Sequence, residues 1–569
     1  MKRITILPLL LFCHLLIAQS YTEADFPATD LIEVAKYQKF ANPKIIGHIG
    51  DTDYVLLRKL AKSGEIRCKL TATSGRTLVK EIKLESSSDG IEYFTNGRVY
   101  SDKILLFGYR YGEKMENAQI FYKVFDANLN PLGEDHIVSQ VALDDDWLKI
   151  GTVKNQMTNL GAISVAPAIF SSEIYDLDDG TYEVWFSSLS YRSGAETKDT
   201  PFLTKIILDE SGLVKSRTML STEQSGETDF NLAHEDVYDL HFHKLGPAMF
   251  VHIEECSFSI HSGQNVYDDY RFPYVSNFRT AVLKFEDDKL VAHLDLGDYN
   301  YQTSTLIDSG QNLHLIGFYG KKFQTLWTGA YSIKLDYQLQ PQSKEYLPIK
   351  GNFQHEELQG EKAYTMPALA KVSQGIMRNP HVEVFEDGSM ALLGELTTQI
   401  IQERSPFTND FIKLGDDKYG KRVTSGFTPD RVHSVKHYYN KIVVLGLDNS
   451  GHYSGKVEVI NKKQFGLGVR PDKIGYSCTG NGEKLTIRFN ESRKALKKGY
   501  FDKKGGYKSE VKKDQILQEY RFDSNLNFEH IVYPNRGEKT IIPKATSRTS
   551  NSWRELYTDE KRYYLFAKP

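Results

Sequence analysis

One short pattern recurs along this 569-residue chain and limits what it can fold into. A run with strand character ends in aspartate, a polar turn follows, and a second such run begins. The copies are Tyr122 to Asp126 and on to Glu134, Leu203 to Asp209 and on to Ser216, and Ala281 to Asp287 and on to Val291. Two more run from Tyr331 through Asp336 to Pro341 and from Tyr520 through Asp523 to Phe528. The first and last share Phe-Asp-x-Asn-Leu-Asn. Asp, Asn and Gly suit tight turns because their side chains bond nearby backbone or impose no Cβ clash, and the flanking alternation is that of strands.

A second element precedes most copies: a turn, then a short apolar strand. It recurs at Ser101–Gly108, Asp179–Phe186, Asp308–Phe318, Glu386–Gly394 and Asn440–Gly446. Buried strands are expected to start near residues 54, 103, 182, 249, 313, 390, 442 and 485, with a last at Tyr563–Ala567. Each unit then reads as a four-stranded antiparallel sheet. Such sheets arrayed radially make a β-propeller, which leaves few open edges. The expectation is an all-β chain forming a single propeller of about seven blades, six or eight also being compatible. The terminal strand Arg562–Ala567 is expected to complete a blade begun near the N-terminus. Tandem β-sandwiches are the alternative, but no Pro/Gly/Ser-rich linker divides the chain. Two insertions, 141–170 and 353–380, read as irregular or partly helical.

Residues 1–20 read as a secretory signal peptide. Lys2 and Arg3 precede an apolar run from Ile4 to Ala18, and small residues follow. The run is shorter than a spanning helix requires. Cleavage after Ala18 or Ser20 would leave residues 21–569 as the propeller. Cys13 lacks the small residue before it that a lipoprotein signal needs. The expected location is secreted, periplasmic or cell-surface associated, with no transmembrane segment in the mature chain.

Net charge is −3, and loss of Lys2 and Arg3 makes it −5, which argues against nucleic acid as a partner. Cys68, Cys256 and Cys478 remain after processing, so at most one disulfide can form within the chain. The repeat resembles secreted bacterial β-propeller proteins of unknown function. That resemblance implies the architecture and carries no catalytic residue.

The most pointed constellation is Asp239-Leu-His241-Phe-His243, followed by His252-Ile-Glu254. Alternation puts Asp239, His241 and His243 on one strand face. A hairpin through Leu245-Gly-Pro-Ala248 would bring His252 and Glu254 alongside, giving a candidate metal site of His241, His243, His252 and Glu254; a plain polar strand face accounts for the same residues. Asp176-Leu-Asp178-Asp-Gly180-Thr-Tyr182 is a loose match to a sialidase Asp-box and reads as an ordinary Asp-Gly turn. The basic stretch from Ser492 to Lys513 suits an acidic polysaccharide or a solvated loop. Phosphate-loop, zinc-protease and serine-hydrolase motifs are missing. The reading is therefore a non-enzymatic binding or scaffold propeller with a protein or glycan partner and no expected cofactor. The alternative is an extracytoplasmic hydrolase or lyase acting on glycans.

Overall fold

The computed structural model describes residues 21–27, 30–36, 41–60, 66–74, 77–84, 90–112, 117–142, 172–177, 179–187, 203–220, 237–258, 275–297, 299–308, 312–320, 327–349, 370–404, 432–467, 474–498, 507–508, 515–534, 539–549, 552–559 and 561–568. The signal-peptide reading of residues 1–20 lies outside them.

Eight antiparallel sheets form a β-propeller of eight four-stranded blades. Blades 1 to 7 occupy residues 41–84, 90–142, 172–220, 237–296, 300–348, 370–467 and 477–533. Blade 8 takes three strands from residues 540–568 and its fourth, Leu31–Lys36, from the other end of the chain. Leu31 pairs with Phe566 and Ile32 with Leu565, so the expected closure is present. Two-residue strands add to blades 6 and 7: Tyr507–Lys508 beside Gln464 and Phe465, and Thr22–Glu23 beside Ile531 and Val532.

The second strand of each blade explains the apolar runs in the sequence. Successive side chains point to opposite faces, and each face meets a neighbouring blade. Trp185 and Phe186, adjacent in blade 3, enter different clusters, one shared with blade 4 and one with blade 2. Phe250 and Val251, Leu315 and Ile316, and Leu392 and Leu393 divide in the same way. Leu517 with Tyr557, and Leu565 with Val55, continue the packing through blade 8 back to blade 1. A strand buried on both faces cannot alternate with polar residues, and Leu313–Gly320 is buried along its whole length.

All five recurrent aspartates stand where the third strand of a blade turns into the fourth. Four of them, with Asp448 of blade 6, make one five-residue turn. In each, the aspartate carbonyl accepts the amide three residues on, and its own amide donates to the carbonyl four residues on. The residue at the third step, Leu129, Gly212, Leu339, Gly451 or Leu526, has positive φ. Asp287 differs, forming a two-residue turn with Asp288.

Two expectations need correction. The buried strand expected near residue 442 is the third of blade 6, Val432–Leu447, and not the second strand of a unit of its own. Residues 370–380, read as insertion, belong to the first strand of blade 6, Ala370–Val384. Residues 143–171 and 350–369 lie outside the described residues. The only helix among the described residues is α1, Arg493–Lys498, within the basic stretch. No described helix is long and apolar enough to cross a membrane.

Candidate functional site

In an antiparallel blade, the connections from second to third strand and from blade to blade leave from one face of the ring. The hairpin turns leave from the other. The described strand ends that flank residues 143–171, 188–202, 221–236, 259–274, 349–369, 405–431 and 493–514 all stand at the first face. On the other face no turn exceeds the nine residues 127–135. A rigid scaffold thus carries its long connections on one side, where binding residues tend to gather.

A cavity of about 200 Å³ lies where the chain passes from blade 6 to blade 7, close to the start of blade 8. Asn379, Glu395, Tyr439, Ile474, Gly475, Tyr476 and Pro543 line it. Asn379 sits at a bulge in the first strand of blade 6, with φ of 52°. Left-handed backbone at a non-glycine residue stores strain, and such strain collects at functional sites. Two bonds hold it: Tyr476 Oη donates to the Asn379 carbonyl at 2.5 Å, and Asn379 Nδ2 donates to Glu395 Oε2 at 3.0 Å.

Behind the cavity runs a buried polar network. Lys462 Nζ donates to Glu395 Oε1 and, at 3.0 Å, to Gln464 Oε1. Both members of the Lys462–Glu395 pair are fully buried. The rings of Tyr439, Tyr476 and Phe489 lie 5.8, 6.0 and 5.6 Å from the ammonium, close enough for cation–π attraction. Burial pushes the Lys462 pKa down, with Glu395 and Glu491 opposing.

Glu491 is pushed up to about 8 by burial, although the amides of Lys463 and Ser492 both donate to it at 2.7 Å. Arg488 binds Glu519 at 2.5 Å and Glu555 at 3.1 Å. Glu555 also accepts from Ser477 at 2.6 Å and Tyr557 at 2.9 Å, joining blades 7 and 8. Glycoside hydrolysis needs one free carboxylate and one carboxylic acid across an open gap. In this network Glu395, Glu519 and Glu555 each face a cation, which fits a structural tie.

The histidine constellation lies on blade 4. Val237–Leu245 pairs with Ala248–Phe258 as a hairpin, His241 opposite His252 and Asp239 opposite Glu254. The register therefore puts His241, His243 and His252 on one face. The His241 and His252 rings are 5.8 Å apart and nearly parallel, and His252 Nε2 lies 3.2 Å from Thr280 Oγ1. Burial, reinforced by His241, pushes His243 down to about 4 and keeps His252 well below the ordinary range. Both are neutral at pH 7, as imidazole ligands must be. Among the described residues no three metal-ligating groups converge; the Asp239 and Glu254 side chains lie outside those described.

The near Asp-box is the turn between the first two strands of blade 3. Asp179 Oδ1 accepts the Thr181 amide at 3.0 Å, as an Asp-Gly turn should. Sequence reasoning missed Asn379, Glu395, Tyr439 and Tyr476, because three blades bring the cavity walls together and no local motif marks them.

No family model and no curated protein matches the chain. Solved structures match at the level of architecture. The polysaccharide lyase Uly1 shares 10% identity at a TM-score of 0.37, with 83% of this chain and 88% of that one covered. The C-terminal WD40 domain of Sif2 shares 8% at 0.37, with 97% and 100% covered. The β-propeller domain of the trilobed protease from Pyrococcus furiosus, whose topology is described as open velcro, shares 10% at 0.28, with 74% and 96% covered. At such identities the likeness says nothing of activity.

Proposed function

We propose that the chain is an exported, non-enzymatic binding propeller that grips a protein or glycan with its long-connection face. The observation that carries this reading is the asymmetry of the ring: every connection of fifteen residues or more leaves from that face. The cavity beside Tyr439 and Tyr476 adds aromatic and amide surface of the kind that receives a polar ligand. The pairing of Glu395, Glu519 and Glu555 with cations weighs against a glycan hydrolase or lyase at this network.

The test is a glycan array and an envelope-extract pull-down with the mature protein. Beside it stand variants in which residues 143–171 or 405–431 are replaced by short turns. Retention by the wild type that weakens in the shortened, folded variants is the expected result. Retention unchanged by shortening rejects the face, and turnover of any arrayed polysaccharide replaces binding by catalysis.

A further inference from the structure

Two contacts tie the first strand of blade 6 to the start of blade 7. Tyr476 Oη meets the Asn379 carbonyl at 2.5 Å. Further along both chains, Glu383 lies against Gly480, where an added Cβ would stand 1.9 Å from its carboxyl carbon. Glu383 Oε1 also accepts the Gly482 amide at 3.2 Å. His381 and Cys478 lie midway between these contacts on the two segments, within electrostatic range of each other. His381 Nε2 is 3.5 Å from Glu383 Oε2. Glu383 is buried, the His381 side chain is 30% exposed, and Cys478 is a half-buried free thiol.

We propose that Cys478, His381 and Glu383 form an activated-thiol site that reacts with soft electrophiles of the small-disulfide class. The arrangement has the parts such a site needs: a sulfur nucleophile, an imidazole beside it, and a carboxylate 3.5 Å from the imidazole. Burial works against charge on His381, but Cys478 first and Glu383 second outweigh it and push the imidazole up to about 10. An imidazole within reach of a thiol can take its proton as the sulfur attacks and return it to the leaving group.

In the reaction the Cys478 sulfur attacks one sulfur of a disulfide R–S–S–R, and that S–S bond breaks. Cys478 is oxidised to a mixed disulfide and the incoming disulfide is reduced. The departing RS⁻ takes the proton held by His381 and leaves as RSH. Glu383 is a positioning residue. Tyr476, on the cavity wall, is a further ionisable group within electrostatic range of the sulfur.

The test follows each cysteine by peptide mass mapping in the folded mature protein. Iodoacetamide, from which the sulfur displaces iodide, and oxidised glutathione are the probes, and buried Cys68 is the internal control. Cys478 is expected to alkylate about tenfold faster at pH 6.5 in the wild type than in His381→Gln. The gap should close at pH 9.5, where an ordinary thiol is ionised without help. Glutathione should add to Cys478 and to nothing in Cys478→Ser. Glu383→Gln should fall between wild type and His381→Gln. A Cys478 that stays unlabelled in the folded wild type, or reacts no faster at pH 6.5 than Cys478 in the urea-unfolded chain, overturns the proposal even if His381→Gln fails to fold.

Discussion

Asp126 of blade 2 and Asp523 of blade 7 hold the same turn in the same way. The amide of Asn130 donates to Asp126 Oδ1 at 2.7 Å, and the amide of Asn527 donates to Asp523 Oδ1 at 2.9 Å. In both, a second asparagine contact closes the turn: Asn130 Nδ2 at 2.9 Å and Asn527 Nδ2 at 3.0 Å to the other carboxylate oxygen. The turns also lock blades together. Tyr54 of blade 1 donates to the Ala127 carbonyl of blade 2, and Tyr122 of blade 2 to the Gly212 carbonyl of blade 3.

Removing the Asp523 carboxylate by Asp523→Ala should cost about 1 kcal/mol, the scale of a lost capping group after allowance for exposure. Slight burial works against the Asp523 charge, but the Asn527 and Asn525 bonds outweigh it and hold its pKa below the ordinary value. A depressed carboxylate stabilises above its unfolded pKa, near 4, and loses that contribution as pH falls through the folded value. Thermal midpoints should therefore converge for wild type and variant once pH falls below the folded value. An undiminished difference there would assign the effect to packing.

Leu526 has φ of 57° and yet is buried against blade 6, its Cδ1 near Gly446. Left-handed backbone costs an L-residue roughly 1–2 kcal/mol, and burying a leucine returns roughly 1.5–3 kcal/mol. Leu526→Ala keeps the strain and loses the burial, so it should destabilise by about 2–3 kcal/mol. Leu526→Gly loses the same burial but sheds the strain, and should be the more stable of the two. Chemical denaturation of both variants decides it; alanine above glycine would refute the account.

The architecture was legible because its causes are local. An aspartate turn is written in five residues, and a doubly buried second strand is an apolar run, so most second strands stood where the sequence placed them. The blade count was less legible. Blade 6 has strands of up to sixteen residues, and its third strand carries the same apolar run as a second strand. Blade 1 lacks the aspartate at the equivalent turn, where Ser74 and Thr77 flank it. The cavity was illegible because Asn379, Tyr476 and Pro543 converge only when three blades pack. Cys478 read only as one of three widely spaced cysteines, since His381 lies in another blade.

Arg488 shows what the buried network contributes. Arg488→Ala leaves Glu519 and Glu555 facing each other across blades 7 and 8 without their shared cation. Loss of one partner from a buried pair costs about 3–5 kcal/mol. The triple variant Arg488→Met, Glu519→Gln, Glu555→Gln should recover part of that loss, because no buried charge is left unpaired; half-exposed Arg521 loses Glu519 but keeps Glu529 at 3.8 Å. A triple variant less stable than Arg488→Ala would show that the charges themselves stabilise the interface.

Glu491 should make the fold less stable as pH rises. Its pKa is pushed up to about 8 in the folded chain, against an ordinary 4.3 when unfolded. The folded state holds the proton more tightly, so stability is full below the unfolded value and declines as pH climbs towards 8. Glu491→Gln removes the titration while keeping hydrogen-bonding oxygen for the Lys463 amide. The variant should gain on wild type between pH 5 and 8, and denaturant midpoints across that range measure it. Parallel profiles would place the Glu491 titration elsewhere.

The blade 4 histidines act in the opposite sense. His243 is depressed to about 4 by burial, with His241 adding to it, and its Nε2 is buried without a hydrogen-bond partner among the described residues. Unfolded, the same imidazole titrates near 6.5. Between those values the unfolded chain binds the proton that the folded chain refuses, so stability falls as pH drops from 6.5 towards 4. His243→Phe should flatten that slope without changing stability much at pH 8, where the imidazole is neutral in both states. The same face tests the metal proposal for His241, His243, His252 and Glu254. Zinc that raises the thermal midpoint of the wild type at pH 7.5, and fails to do so in His241→Ala, would establish a bound ion through its preference for the folded state. Equal midpoints with and without zinc would leave a neutral imidazole face whose consequence is the acid slope alone.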